Sequence, residues 1–186
     1  MDVCAYVMAL HVAFEKSANS FIKKVVKAIA GPYVHTELII SQSQPSLVHT
    51  SYAAYMSENF SRTMQPDFWY EDQSHDFLSI RVSHEELRKI SDTCEACVET
   101  KIPYNTSDMV LSIIPMRNPK ERSIYQAGSL FCSQSIVLML RSCLDAEHPL
   151  QLGLASVNSR TITPSQLYIL MRPHCSPSCV KQIMKG

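Results

Sequence analysis

Glycine is scarce in this chain of 186 residues, which contains only four. It has no G-x-G-x-x-G or G-x-x-x-x-G-K segment, which excludes the glycine-rich loops that cradle nucleotide phosphates. The chain also has no excess of positive or negative charge, because 17 basic residues balance 17 acidic residues and the charges are scattered along the sequence. Proteins that bind nucleic acid ordinarily carry a basic stripe, so we expect no nucleic-acid partner.

A long apolar run is lacking as well. The segment AYVMALHVAF (5–14) is too short to cross a bilayer, and it lacks the basic region and the cleavage site of a signal peptide. We therefore expect no integral membrane segment and a cytoplasmic location. Seven cysteines cannot all pair within one chain, and without an export signal they indicate free thiols in a reducing compartment.

The hydrophobic pattern predicts one α+β domain over residues 1–172, followed by a tail over residues 173–186. Segments rich in β-formers predict strands, and periodic apolar segments predict helices. The predicted strands cover residues 5–12, 33–40, 46–52 and 76–82, and the predicted helices begin near residues 17, 83, 132 and 160.

Three of these predicted helices carry end signals. Gly31 and Pro32 stop the first helix, whose apolar residues share one stripe: Phe21, Ile22, Val25, Val26 and Ile29. Ser83 and Glu86 form the pattern of a capping box at the start of the second. Pro164 occupies the first turn of the last helix.

Two cysteine clusters suggest metal binding. Cys94 and Cys97 form a CxxC pair, but with Leu87 and Ile90 they follow helical spacing, so both thiols are expected on a buried stripe, where cysteine packs as a small hydrophobe. The tail offers His174, Cys175 and Cys179 as alternative zinc ligands, although such spacing is loose. We expect no metal or organic cofactor.

A third cysteine stands at the start of an apolar helix, in the segment SLFCSQSIVLML (129–140). Ser129 is a candidate N-cap, which places Cys132 in the first helical turn. There, free N–H groups and the helix dipole favour an anion and lower a thiol pKa. Cys132 is therefore a candidate nucleophile; the alternative is inert packing.

Two histidines are candidates for the base that such a nucleophile requires. His35 lies in YVHTELII on the same strand face as Tyr33 and Glu37, and His49 lies in SLVHTSY on the next predicted strand. Histidines on paired strands can lie side by side, so that one takes the thiol proton while the other orients it. Each can also be an ordinary buried side chain.

Five segments in this order resemble the circularly permuted branch of the NlpC-type papain-like superfamily. They are YVHTELII, SLVHTSY, IPYNTSD, LFCSQSIVLML and TITPSQLY, and the resemblance spans roughly residues 5–170. The branch includes YiiX-like proteins, poxvirus relatives and the lecithin:retinol acyltransferase group. The run from Phe131 to Gln134 is similar to the cysteine motif of this branch. Pro103-Tyr104 is similar to a proline-tyrosine pair that precedes that motif in the family, and Thr163-Pro164 is similar to a Thr-Pro pair before its last short helix.

The resemblance implies an antiparallel sheet packed on a central helix that carries the cysteine at its N-terminus. It also implies Cys132 as nucleophile, His35 as base and His49 as orienting residue, with Glu37 as the alternative. His49 would occupy the position of the third catalytic residue. A histidine at that position resembles the acyltransferase group, whereas YiiX-like members more often carry a carboxylate or amide there. Tyr33 and Tyr104 are candidates to line the cleft.

The activity implied is that of a cysteine peptidase or amidase that works through a thioester intermediate without a cofactor. One alternative keeps the thiol chemistry but acts on lipid esters, as an acyltransferase or phospholipase does. A second alternative is a non-catalytic papain-like shell, such as a structural or virion protein. The expected partners are therefore peptide, amide or lipid-ester substrates, and oligomeric state is left open.

Overall fold

The fold is seen in a computed structural model that describes residues 8–18, 20–42, 48–55, 59–64, 75–113, 120 and 123–177. The strands are β1 (Met8–Glu15), β2 (His35–Gln42), β3 (Val48–Ala54), β4 (Phe60–Met64), β5 (His75–Ile80) and β6 (Ser176–Pro177). The helices are α1 (Phe21–Ala30), α2 (His84–Glu99), α3 (Thr106–Ile113), α4 (Cys132–Cys143), α5 (Gln151–Ser156) and α6 (Pro164–Met171). The expectation of an α+β fold is confirmed.

The six strands form one antiparallel sheet in the order β4-β3-β2-β1-β5-β6. Strand β1 is therefore central, and it pairs with β2 on one side and β5 on the other. The pairing of β2 with β3 runs from Gln42–Val48 to Leu38–Tyr52, which confirms the predicted hairpin. Beyond Leu38, residues 35–37 have no recorded pairing with the described part of β3.

Helix α4 lies at the centre of the molecule, between the sheet and α2. Each of its residues from Cys132 to Leu140 is buried, in agreement with the apolar run that the sequence shows there. The core joins one face of the sheet to α4 and α2. Its buried side chains include Leu10, Val12, Phe14, Leu38, Ile40, Leu78, Leu87, Ile90, Ile136 and Met139.

The helix end signals read from the sequence operate in the structure. The Ser83 side chain accepts from the Glu86 N–H while Glu86 accepts from the Ser83 N–H, which confirms the capping box. Thr163 and Gln166 form a second box at α6. Gly31 follows α1 with φ 101°, a conformation that favours glycine, and it lies close to the side chain of Ser165.

Cys94 and Cys97 are buried in the core, as expected. Burial raises the pKa of Cys97 to about 11 and raises that of Cys94 further above its ordinary range. Within the ranges given above, no group of three or more His, Cys, Asp or Glu side chains is placed to hold a metal ion. His174 is exposed and Cys175 half-buried, and Cys179 lies outside the described residues.

The first helix differs from the usual amphipathic arrangement. Of its apolar stripe, Val26 is buried, but Phe21, Val25 and Ile29 are exposed. Helix α1 thus contacts α3 and, through Lys23, the end of β1, and Phe21 and Ile29 of its apolar stripe face outward.

No helix in the described part of the chain is long and apolar enough to span a bilayer. The first three residues of the predicted strand at 5–12 and the last part of the tail, 178–186, lie outside the described residues.

Candidate functional site

The thiol of Cys132 lies at the N-terminus of α4, against strand β2. Cys132 is the first residue of the helix and only 4% exposed. The expectation that Ser129 caps this helix is wrong: the N-cap is Phe131. The chain stays extended up to that point because Leu130 forms a β-bridge with Tyr104, which holds residues 129–131 out of the helix.

Thr36 is the strand residue that meets this thiol. Burial is the largest influence on Cys132 and raises its pKa, while the backbone N–H groups of Thr36 and Ser133 and the nearby Thr36 hydroxyl favour the thiolate. The Thr36 hydroxyl oxygen is buried and forms no hydrogen bond of ordinary geometry with the described residues. The Thr36 N–H is available on this side because the β2–β3 pairing recorded for the described residues ends at Leu38. Cys132 is therefore a neutral thiol at neutral pH, with thiolate-stabilising donors already in place.

The other residues in the first turn of α4 support its position. Ser133 donates to the Ile162 carbonyl at 2.6 Å, and Ser135 donates to the Cys132 carbonyl at 2.7 Å. The Gln134 side chain accepts from the Phe131 N–H at 3.3 Å. The bond from the Phe131 N–H to Gln134 satisfies one N–H group at the helix start, and the two serines tie the first turn to the Ile162 and Cys132 carbonyls.

His35 precedes Thr36, and its imidazole lies on the other face of the strand. The ring stacks at 5.0 Å from the Tyr55 ring, and its Nε2 lies 3.6 Å from Oε1 of Glu37. Burial lowers the pKa of His35 to about 4. His35 is therefore a neutral imidazole at physiological pH, and Nε2 is the nitrogen that faces Glu37.

Glu37 is a buried carboxyl group next to this imidazole. Burial raises its pKa to about 7, although hydrogen bonds from Ser51 and Tyr55 favour its ionised form. The Ser51 hydroxyl donates to Oε2 at 2.6 Å. Near neutral pH the carboxyl is thus close to half-protonated, which allows it either to accept a proton from His35 or to donate one.

Three further ionisable residues surround His35, and sequence reasoning missed them. Glu15 of β1 is the cross-strand partner of both His35 and His75. Lys23 of α1 pairs with Glu15 at 2.7 Å. Burial acts to raise the pKa of Glu15, but hydrogen bonds from Lys23 and Ser17 lower it overall. Period-two alternation along β1 and β5 was a signal that could have placed Glu15 and His75 on the His35 face, but it does not extend to Lys23 on α1.

His49 does not lie beside His35, and this corrects the expected pair of neighbouring histidines. The register sets His49 opposite Ser41, whose hydroxyl lies 2.7 Å from His49 Nδ1. Position 41 is six residues along β2 from His35, or roughly 20 Å at the usual rise of a strand. The structure brings Glu37, not His49, next to His35.

The two candidate cleft tyrosines have different settings. Tyr33 is buried, donates to Asp76 at 2.5 Å and packs against Phe14 and Tyr168, so its role is in packing. Tyr104 is half-buried, and burial together with the nearby charge of Cys132 raises its pKa. Tyr104 therefore lies near the Cys132 thiol, whereas Tyr33 packs in the core cluster that includes α4.

Comparisons of this chain with family models, with curated proteins and with solved structures find no match. The site is therefore described by its own geometry. A thiol with oriented N–H donors, a neutral imidazole and a carboxyl beside that imidazole are the parts that nucleophilic acyl transfer uses. The thiol contacts the core face of β2 and the imidazole and carboxyl lie on its opposite face, so the parts are near one another in sequence but are not in contact.

Proposed function

We propose that the protein is a cysteine hydrolase of peptide or amide substrates, with Cys132 as nucleophile, His35 as base and Glu37 as orienting residue. The observation that carries the proposal is the contact between the Cys132 thiol and Thr36, the neighbour of His35. This contact brings the segment that contains Cys132, the candidate nucleophile, against the segment that contains His35, the candidate base.

The position of Glu37 assigns a role to each nitrogen of His35. Because Nε2 faces the Glu37 carboxyl at 3.6 Å, Nδ1 is the nitrogen left for the thiol. In the resting site the ring lies beside Glu37 and Tyr55, on the face of β2 opposite the one that contacts α4. The proposal therefore requires the ring to turn around the edge of β2 at residues 35–37, where pairing with the described part of β3 has ended, when substrate binds.

The raised pKa of Cys132 and the lowered pKa of His35 favour general-base catalysis over a preformed ion pair. Nδ1 of His35 takes the thiol proton as sulfur attacks the acyl carbon, and the carbonyl π pair moves to oxygen. The carbonyl then re-forms and the bond to the leaving amine breaks, with the amine taking that proton. Water attacks the thioester with His35 again as base, which releases the acid and restores the thiol.

The N-terminal turn of α4 supplies charge stabilisation in this scheme. The backbone N–H groups of Cys132 and Ser133 both act on the sulfur, and as sulfur becomes bonded to carbon they are placed to donate to the oxyanion instead. Loss of one such donor in a serine protease costs about 3–4 kcal/mol of transition-state stabilisation. Tyr104 lies on the same side and is assigned to the substrate cleft.

Acylation of the protein by p-nitrophenyl acetate tests this proposal. We expect one acetyl group on Cys132, detected by peptide mass spectrometry, and release of p-nitrophenol that continues over many turnovers. Cys132→Ala should abolish both. Cys143→Ser is the matched control, because Cys143 is a buried thiol at the other end of α4 and its loss should leave acylation unchanged.

A non-catalytic papain-like module is the second candidate, favoured by the near-complete burial of Cys132 and the raised pKa of its thiol. It predicts a different result in the same experiment. Acetyl groups would then appear on more exposed thiols or lysines at rates that Cys132→Ala and His35→Ala leave unchanged, and turnover would not occur.

A further inference from the structure

Tyr55 packs on the imidazole of His35. It follows directly after β3, and its ring centre lies 5.0 Å from that of His35, with the two ring planes 31° apart. The β2–β3 register pairs Leu38 with Tyr52, and the same register extended by three residues sets Tyr55 opposite His35 on one face of the sheet. The two rings therefore meet across the stretch in which the described residues record no β2–β3 pairing.

Tyr55 also binds the carboxyl group beside this imidazole. Its hydroxyl donates a hydrogen bond to Glu37, and the Ser51 hydroxyl donates to Oε2 of the same carboxyl at 2.6 Å. Tyr55 is half-buried, whereas Glu37 is buried. The tyrosine ring is thus fixed at two points, by its face against His35 and by its hydroxyl against Glu37.

Packing, not a hydrogen bond at Nε2, holds the His35 ring in this position. Nε2 is buried and has no hydrogen-bond partner among the described residues, because Oε1 of Glu37 at 3.6 Å lies beyond ordinary hydrogen-bond distance. A buried nitrogen without a partner is unfavourable. The neutral ring therefore loses no hydrogen bond at Nε2 when it leaves, and the contact that its departure breaks is the stacking on Tyr55.

The backbone around His35 is anchored on the side of β1. His35 is the first residue of β2 and is paired with Glu15, whose carbonyl also accepts from the Val34 N–H at 2.8 Å. On the side of β3, residues 35–37 have no pairing with the described part of that strand. A turn of the imidazole toward the core face therefore passes along the β3 side, where Tyr55 lies.

We propose that Tyr55 is an autoinhibitory latch, which stacks on His35 and keeps it on the face of β2 opposite Cys132. This inference rests on the hydrolase proposal and adds a regulation of the same site. In the resting protein the base reaches the thiol in only a small fraction of molecules, and a substrate that displaces the Tyr55 ring raises that fraction. The rate of acylation follows this competent fraction.

The rate of Cys132 acylation by p-nitrophenyl acetate in variants of Tyr55 tests the latch. Tyr55→Leu removes the aromatic face and should raise the rate about three- to tenfold, as expected for the loss of one aromatic pair. Tyr55→Gln removes the same face with a polar side chain and should give a similar rise. Tyr55→Phe is the matched control, because it keeps the ring and loses only the hydroxyl, so its rise should be smaller.

The same change in a His35→Ala background shows whether Tyr55 acts through His35. The latch predicts that Tyr55→Leu raises the rate only when the imidazole is present, so His35→Ala and the double variant should be equally slow. A side chain that merely shields the thiol from the ester would give the same relative rise in both backgrounds. Thermal melts verify that each variant is folded, and peptide mass spectrometry verifies that the acetyl group is on Cys132.

The results distinguish failure of the latch from failure of the hydrolase proposal. A rise in Tyr55→Leu or Tyr55→Gln that requires His35 supports the latch. Acylation of Cys132 at an unchanged or lower rate in the folded variants overturns the latch alone. So does an equal rise in Tyr55→Phe, or an equal relative rise without His35. Absence of acetyl groups on Cys132 in every variant overturns the hydrolase proposal, and the latch with it.

Discussion

The Cys132 thiol meets the backbone N–H of Thr36, although the two residues lie far apart in the chain. The Thr36 N–H can donate to the Cys132 thiol at the start of α4 because the β2–β3 pairing of the described residues ends at Leu38. This one contact sets the proposed nucleophile beside the segment that carries the proposed base. It also makes the thiol sensitive to small changes in Thr36.

Thr36→Val should slow alkylation of Cys132. The change keeps the shape of the side chain but removes the hydroxyl that favours the thiolate, so the thiol pKa rises further. We expect the rate of iodoacetamide labelling at Cys132, measured by peptide mass spectrometry at pH 8, to fall by up to about tenfold, which corresponds to one pKa unit. Thr36→Ser, which keeps a hydroxyl, should label near the original rate. Equal rates in both variants would show that the hydroxyl does not act on the thiol.

Glu37→Gln should change how stability depends on pH. Burial raises the pKa of Glu37 to about 7 in the folded protein, against an ordinary value of about 4.5. Its ionisation therefore costs stability as pH rises from 4.5 through 7, and the stability is fully present only below that window. Urea denaturation at pH 5 and pH 8 should show the unmodified protein losing up to about 3 kcal/mol that Glu37→Gln does not lose. Parallel losses in both proteins would contradict the raised pKa.

His11 should make the stability of the fold depend on pH in the opposite direction. Burial, with a smaller effect of the charge of His49, lowers its pKa to about 4, and the unfolded chain binds a proton near 6.5. The unfolded state therefore holds more protons between these values, so stability is present above pH 6.5 and falls as pH drops to 4. Each pH unit in this window should cost about 1.4 kcal/mol per such histidine. His11→Gln should flatten the curve measured by urea denaturation; an unchanged slope would show that His11 titrates normally.

Gly31→Ala should destabilise the fold. Gly31 has φ 101°, and an added Cβ would lie 2.7 Å from the Ser165 hydroxyl oxygen, so both backbone strain and a steric clash oppose the change. We expect a loss of about 1–3 kcal/mol, seen as a lower thermal midpoint. Gly128→Ala is the control, because an added Cβ there meets no atom within 4 Å. A variant at Gly31 as stable as the Gly128 variant would be inconsistent with the observed turn.

The class of fold and the burial of several residues could be predicted from the sequence. The capping box of Ser83 and Glu86, the helix stop at Gly31 and the burial of Cys94 and Cys97 are local properties, since each depends on residues close in the chain. The central position of α4 followed from an apolar run without a polar face.

The neighbours of His35 could not be predicted in the same way. Alternation gives the strand face on which a side chain lies, but not the register between strands. His35 and His49 do occupy one face of the sheet, yet the register sets them six residues apart along β2. The contribution of Glu15 and Lys23 depends on how β1 and α1 meet at the end of β2, which no local pattern specifies.

The exposure of the α1 stripe is a second result that periodicity could not provide. The spacing of Phe21, Val25 and Ile29 indicates an amphipathic helix, but it does not state which surface covers the apolar side. Tertiary contacts at Val26 and Lys23 decide the orientation of the helix.

The distance between Cys132 and His35 in a covalent complex tests the account most directly. A crystal structure of the protein with a peptide aldehyde bound to Cys132 captures the site with its acyl position occupied. The account predicts Nδ1 of His35 within about 4 Å of the sulfur or of the adduct oxygen, with the ring moved away from Tyr55. An imidazole that remains beside Tyr55 with Nδ1 more than about 7 Å from the sulfur would contradict it.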